Sequence, residues 1–151
     1  MKAVIQRVLR ASVEVRGEMV GKIGQGLVVL LGVSKGDGDL DCRTMANKLR
    51  TLRIFADEQG KMNRSLIDVG GSILLISQFT LLADCRSGRR PSFDHAALPS
   101  DARAMYDRVA ASLRREGTVV EMGSFGAHME VDLVNDGPVT FVLDTRPIEG
   151  A

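Results

Sequence analysis

Apolar residues at Ala3, Ile5 and Val8 open the chain with the spacing of a strand. Val13 and Val15 alternate with polar neighbours. Beyond Arg16-Gly17-Glu18, Val20 and Ile23 predict the second arm of a hairpin. Leu27-Val28-Val29-Leu30-Leu31-Gly32-Val33 is then an unbroken apolar run, as a strand covered on both faces requires. Gly36-Asp37-Gly38-Asp39 reads as a loop that also supplies an acidic N-cap. From Leu40 to Phe55 the residues Cys42, Met45, Leu49 and Leu52 recur at helical spacing. A turn is expected at Asp57-Glu58-Gln59-Gly60, and Gly70-Gly71 leads into a second buried strand, Ser72-Ile73-Leu74-Leu75-Ile76. Residues 84–99, with Gly88, Pro91 and Pro99, predict a long loop of the kind that often carries function. Ser100 is expected to cap a second helix, with Ala104, Val109, Ala110 and Leu113 facing the core and Gly117 ending it. The remainder reads as strand: Val119 to Met122, then Met129, Val131 and Leu133 alternating with polar residues, then Val139 to Leu143. This order predicts one α/β domain over 1–151. Its sheets are mixed and largely antiparallel, in a layered β/β/α arrangement with two main helices covering one side.

Bulk properties narrow the function. The chain has 151 residues, 20 basic and 19 acidic, for a net charge of +1, which neither demands nor excludes a nucleic-acid partner. There is no apolar stretch long enough for a membrane span, and Lys2 and Arg7 interrupt the N-terminal pattern too early for a signal peptide. A cytoplasmic setting is expected. The two cysteines, Cys42 and Cys85, are far apart with no His or Cys at ligand spacing, so neither a disulfide nor a metal site is expected. Aromatic residues make up 4% with no Trp, too few for stacking several bases in a row.

Two motifs depart from the apolar pattern. Ser77-Gln78-Phe79-Thr80-Leu81 places polar groups at the end of a buried strand. Strand ends present reactive groups to solvent from a rigid scaffold. Ser77, Gln78 and Thr80 are open to roles as nucleophile, oxyanion donor or substrate anchor, or their hydroxyls simply satisfy nearby backbone. A catalytic triad gains little support, since neither His95 nor His128 lies in a nucleophile-elbow context. Asn135-Asp136-Gly137-Pro138-Val139-Thr140 is the second motif, and it sets Gly-Pro between strand-like runs. It reads either as an edge-strand turn or as a device: a cis Gly-Pro would aim two successive carbonyls the same way. Arg86, Arg89 and Arg90 form either a solvated loop or, beside a site, a phosphate clamp. His128 reads as a surface strand residue.

At these residues the chain resembles the D-aminoacyl-tRNA deacylase family. The likeness runs from Ile5-Gln6-Arg7-Val8 through Gly26 to Val33, Arg53-Ile54-Phe55 and Lys61-Met62-Asn63. It continues through Ser77-Gln78-Phe79-Thr80-Leu81, Arg90-Pro91-Ser92-Phe93, Phe125-Gly126-Ala127-His128-Met129 and Asn135 to Thr140. The resemblance implies a homodimeric cytosolic hydrolase that frees tRNA from D-amino acids without a cofactor. It implies that the Gly137–Pro138 bond is cis and reaches into the partner subunit's pocket to screen chirality. Ser77, Gln78, Phe79 and Thr80 then line the pocket for the terminal adenosine and the aminoacyl ester.

Two mechanisms follow from that resemblance. Thr80 acts as a covalent nucleophile, or the RNA's own 2′-hydroxyl assists hydrolysis while Thr80 positions the substrate. With no base near Thr80 in sequence, the second is expected, and backbone amides around Gln78 to Thr80 would hold the oxyanion. A screen that excludes L side chains should also admit glycyl-tRNA. Two other classes compete: a non-catalytic tRNA-binding module, and a small-ester hydrolase that needs no RNA.

Overall fold

The computed structural model describes residues 1–146, so residues 147–151 of the single domain expected over 1–151 lie outside it. Strand β1 spans Lys2–Val15 and is followed by β2 at Glu18–Ile23 and β3 at Gly26–Gly32. Helix α1 (Asp39–Thr51) comes next, then a two-stranded ribbon of β4 (Phe55–Ala56) and β5 (Met62–Arg64). A short helix α2 (Leu66–Val69) leads into β6 (Ser72–Ser77). Helix α3 (Pro99–Arg115), β7 (Val120–Met122) and the long β8 (Glu130–Asp144) complete the described chain.

The sheet is mixed. β1 pairs antiparallel with β2, β3 and β8, whereas β3–β6 and β6–β7 are parallel. Each parallel pair is joined through a helix, as parallel pairing demands. Period-two alternation divides the buried strands between two cores. Val29, Leu31, Ile73 and Leu75 face one way, onto Met45 and Leu49 of α1 and Val109 and Leu113 of α3. Val28, Leu74 and Ile76 face the other way, onto Val8, Ala11, Val13 and Ile23. The sheet therefore folds over itself on one side and carries both long helices on the other, which is the expected β/β/α layering. Burying a side chain such as Met45 or Val109 stabilises the fold by about 1.5–3 kcal/mol.

Several local expectations are corrected. The opening strand and the first hairpin arm are one strand, because Leu9 and Arg10 are exposed without breaking the ladder. A bulge between Val13 and Glu14 places Gly21 opposite Val13, and Ile23 opposite Ala11. α1 is capped by Gly38 instead of an acid; Asp41 accepts the Gly38 N–H at 3.0 Å. α1 stops at Thr51, where Leu52 turns to an extended ψ of 128°, freeing Phe55 for β4. Ser100 is not a cap: α3 starts at Pro99, a residue suited to the first helical position because the missing N–H would be unpaired there anyway. α2 escaped the periodicity entirely, although Ser65 and Asp68 form a reciprocal cap around its start. His128 is exposed and lies just ahead of β8, outside any strand.

One polar knot ties distant parts of the chain together. The Met1 amino group donates to Asp37 Oδ1 at 2.8 Å and to Thr145 Oγ1 at 2.9 Å, with the Asp37 side chain only 2% exposed. Asp37 Oδ2 also accepts the Ser34 N–H at 2.7 Å. Asp37→Asn leaves the amine buried beside a neutral side chain, and removing one partner of a buried pair costs about 3–5 kcal/mol. Thermal unfolding of this variant is expected some 10 °C lower, at about 2–4 °C per kcal/mol for a domain of this size.

Candidate active site at the end of β6

Buried apolar residues drive β6 through the middle of the sheet, and the chain turns sharply where the run ends. Gln78 N–H still donates to Leu31 O at 2.8 Å, so the motif is clamped to the neighbouring strand. Phe79–Leu82 then forms a 3-10 turn closed by Leu81 N–H to Gln78 O (3.3 Å) and Ala83 N–H to Thr80 O (3.1 Å). Gly32, on β3, makes room for it. A Cβ there would lie 2.3 Å from Leu82 Cδ2 and 2.8 Å from Gln78 O. Buried Leu82 plugs the turn onto the sheet and leaves Phe79 and Thr80 outside.

Ser77 and Gln78 are half-buried, while Phe79 and Thr80 are exposed. Gln78 Nε2 donates to Thr80 Oγ1, so the threonine hydroxyl keeps its own hydrogen for another acceptor. Among the described residues no carboxylate or imidazole is hydrogen-bonded to Thr80 Oγ1. The amides of Phe79 and Thr80 open the turn without a backbone acceptor among those residues, as the first N–H groups of a helical turn do. Phe79 packs edge-on against Phe93, ring centres 5.0 Å apart, making one apolar wall. Phe93 belongs to the long loop, which is pinned by paired hydrogen bonds between Asp84 and Ser92 (2.8 and 3.0 Å) and by Ala97 N–H to Val33 O (3.0 Å). Arg86 forks onto Asp84 at 2.6 and 2.9 Å, and this bonding holds the Asp84 carboxyl well below the usual range. Arg89 and Arg90 are exposed on the same loop.

The second motif is not a turn between strands: it lies inside β8. Gln6 pairs with Thr140 and Val8 with Asn135, so Asp136, Gly137, Pro138 and Val139 stand opposite the single residue Arg7. The surplus main chain bulges outward, leaving Gly137 and Pro138 exposed. The Gly137–Pro138 peptide is cis, and Gly137 has φ of 128°, a conformation that favours glycine. Arg7 holds this bulge. Its Nη1 donates to Ile54 O at 2.7 Å, and its Nε lies 3.2 Å from both Asp136 O and Asp136 Oδ2. Arg7 was not singled out from the sequence. Its position carried a signal, because Ala3, Ile5 and Arg7 share the inward alternation of β1 and only one of them is charged.

The two motifs do not meet within one chain. Ser77 is in the row of Leu31, Ala3 and Leu143, whereas the Gly137 bulge is in the row of Arg7, three strands away. At about 3.3 Å per residue and 4.8 Å per strand, they are roughly 20 Å apart.

The fold is thus a β/β/α-layered domain whose central strand β6 ends in a 3-10 turn of polar residues. A family model described as D-Tyr-tRNA(Tyr) deacylase matches residues 4–144. A D-aminoacyl-tRNA deacylase of Heliobacterium modesticaldum is 58% identical over 146 residues, 97% of each chain. That of Pelobacter propionicus is 57% identical over 95% of this chain and 99% of its own. Two solved structures share the fold. A c-Myc DNA unwinding element binding protein has TM-score 0.92 at 41% identity, covering 97% of this chain and all of that one. A probable eukaryotic D-amino acid tRNA deacylase has TM-score 0.77 at 19% identity, covering 94% and 97%. The chain belongs to the D-Tyr-tRNA(Tyr) deacylase family, and is a hydrolase.

Proposed function

We propose that the protein hydrolyses the ester of D-aminoacyl-tRNA, releasing tRNA and the D-amino acid. Ser77, Gln78, Phe79 and Thr80 hold the terminal adenosine and its ester. The full-length match to deacylases, with the Phe79–Leu82 turn intact, carries this reading. Water adds to the ester carbonyl. The neighbouring 2′-hydroxyl takes its proton and returns one to the departing 3′ oxygen. The amides of Phe79 and Thr80 stabilise the developing oxyanion. An aminoacyl ester is already activated, so placement supplies most of what remains. Thr80 donates its hydroxyl hydrogen to the substrate, and among the described residues no base is hydrogen-bonded to it to make it a nucleophile.

The chain works as a homodimer, each copy lending Gly137 and Pro138 to the pocket of the other. Support comes from the separation of the two motifs within one chain and from exposed apolar residues on β8, including Val131, Phe141 and Val142. Such a main-chain gate rejects L-aminoacyl esters and admits glycyl-tRNA. A cytoplasmic location suits this substrate; among the described residues no helix is long and apolar enough to cross a membrane.

Loss of ester from D-tyrosyl-tRNA, without added metal, tests the activity. Thr80→Ala should slow it by about tenfold, the worth of one hydrogen bond, whereas a 2′-deoxy terminal adenosine should stop it. A Thr80→Ala protein that binds substrate with no turnover would restore the covalent nucleophile. If the unaltered protein hydrolyses nothing yet binds tRNA with a steep salt dependence, the binding-module reading stands instead. The name of the relative that binds a DNA element is what favours that second reading.

A further inference from the structure

We propose that a cationic cleft beside the Phe79–Leu82 turn binds a phosphodiester of the single-stranded RNA leading to the terminal nucleoside. This inference rests on the deacylase reading. The cleft has a volume of about 410 Å³, and Lys2, Leu81, Asp84, Arg86, His95 and Arg146 are among its walls. Leu81 follows Thr80 directly, so cleft and catalytic turn share a wall. A nucleoside held by its 3′ ester at Thr80 must send its 5′ phosphate to a neighbouring position, and this cleft is one.

The charges there are biased toward an anion. Arg86 engages Asp84 through Nη2 (2.6 Å) and Nε (2.9 Å), and its backbone N–H adds a third bond at 3.0 Å. That carboxylate is occupied, while the rest of the guanidinium fork stays free on a side chain 86% exposed. Asp144 is shared between two cations, Arg146 Nε at 3.6 Å and Lys2 Nζ at 4.0 Å. Among the described residues three cations thus face two carboxylates, an excess of one positive charge. Arginine forks suit the paired oxygens of a phosphodiester. His95 adds a ring donor on the same wall, with its backbone O fixed by the Lys35 N–H at 3.0 Å. Among the described residues the walls hold no Phe, Tyr or Trp for stacking a base, which favours a backbone site over a base-reading one.

The test compares two substrates that share the ester and differ in phosphate: D-tyrosyl-tRNA and D-tyrosyl-adenosine. In the Lys2→Gln, Arg146→Gln double variant, kcat/KM for the tRNA should fall at least about tenfold. The slope of log kcat/KM against log salt should shrink by about 1.4, since each of the two cations removed accounts for roughly 0.7 on a single strand. Turnover of D-tyrosyl-adenosine should stay within twofold. Equal loss on both substrates would mean the residues merely support the fold of the turn. No change on either would show that the cleft carries no phosphate. Inorganic phosphate that competes with D-tyrosyl-adenosine as strongly as with the tRNA would likewise overturn the assignment, marking an anion site at the ester itself. If the unfolding midpoint of the double variant drops, Arg86→Gln, altered at an exposed side chain, takes its place. Failure of the unaltered protein on both substrates would instead remove the deacylase reading beneath the inference.

Discussion

D-Tyrosyl-tRNA is expected to lose its ester at least about a thousandfold faster than L-tyrosyl-tRNA, with glycyl-tRNA lost alongside the D ester. A ratio of that size is about 4 kcal/mol of transition-state discrimination. Gly137 and Pro138 carry no side-chain donor or acceptor, so they have nothing with which to attract one enantiomer. In the proposed gate, their means of choosing would be to occupy the space an L side chain needs. Soft surroundings yield to a steric intruder for about 1–3 kcal/mol. The bulge is not soft, because Arg7 bonds it both to Asp136 and to the Ile54 carbonyl. Glycine has no side chain to exclude and is expected to pass such a gate. The measurement is first-order ester loss from the three tRNAs at equal enzyme. Equal loss of D and L esters would sink the gate. Loss of the D ester alone, with glycyl-tRNA spared, would mean that the pocket attracts a D side chain instead of excluding an L one.

Much of this arrangement was legible in the chain, and the exceptions have a common cause. The buried runs of β3 and β6 and the helical periodicity of α1 and α3 are local signals, and all four elements formed, with only the end of α1 and the start of α3 displaced. The polar residues of Ser77 to Thr80 stood out because they end such a run. Strand continuity was not legible. Exposed Leu9 and Arg10 looked like a gap, and Gly137-Pro138 looked like a terminator, yet the ladder continues past both. A bulge keeps a strand going at the cost of local pairing, and only the partner strand shows that it does. Arg7 was missed for the same reason, since its partners Ile54 and Asp136 are 47 and 129 residues away.

Arg7→Met should therefore do more than Thr80→Ala at the candidate site. Methionine fills much of the same buried volume but donates nothing, so the Ile54 carbonyl and the Asp136 carboxylate are both left without their partner. A hydrogen bond to a charged group is worth about 1.5–3 kcal/mol, and a buried carbonyl left bare costs a similar amount. Asp136 is a third exposed and water recovers part of its loss, so a net destabilisation of about 3 kcal/mol is expected. The larger consequence falls on selectivity. Nothing else among the described residues is hydrogen-bonded from a buried side chain to the bulge, and a bulge that can retreat no longer excludes. A restraint weakened by about 3 kcal/mol corresponds to a D-over-L ratio reduced by about 100-fold. Arg7→Lys separates charge from geometry, because an ammonium restores the charge beside Asp136 but cannot fork to the Ile54 carbonyl at the same time. It should recover stability better than selectivity. The decisive readout is kcat/KM for D- and L-tyrosyl-tRNA, measured well below each unfolding midpoint. A merely structural arginine would lower both in proportion, whereas an anchor of the gate lowers the D value and raises the L one.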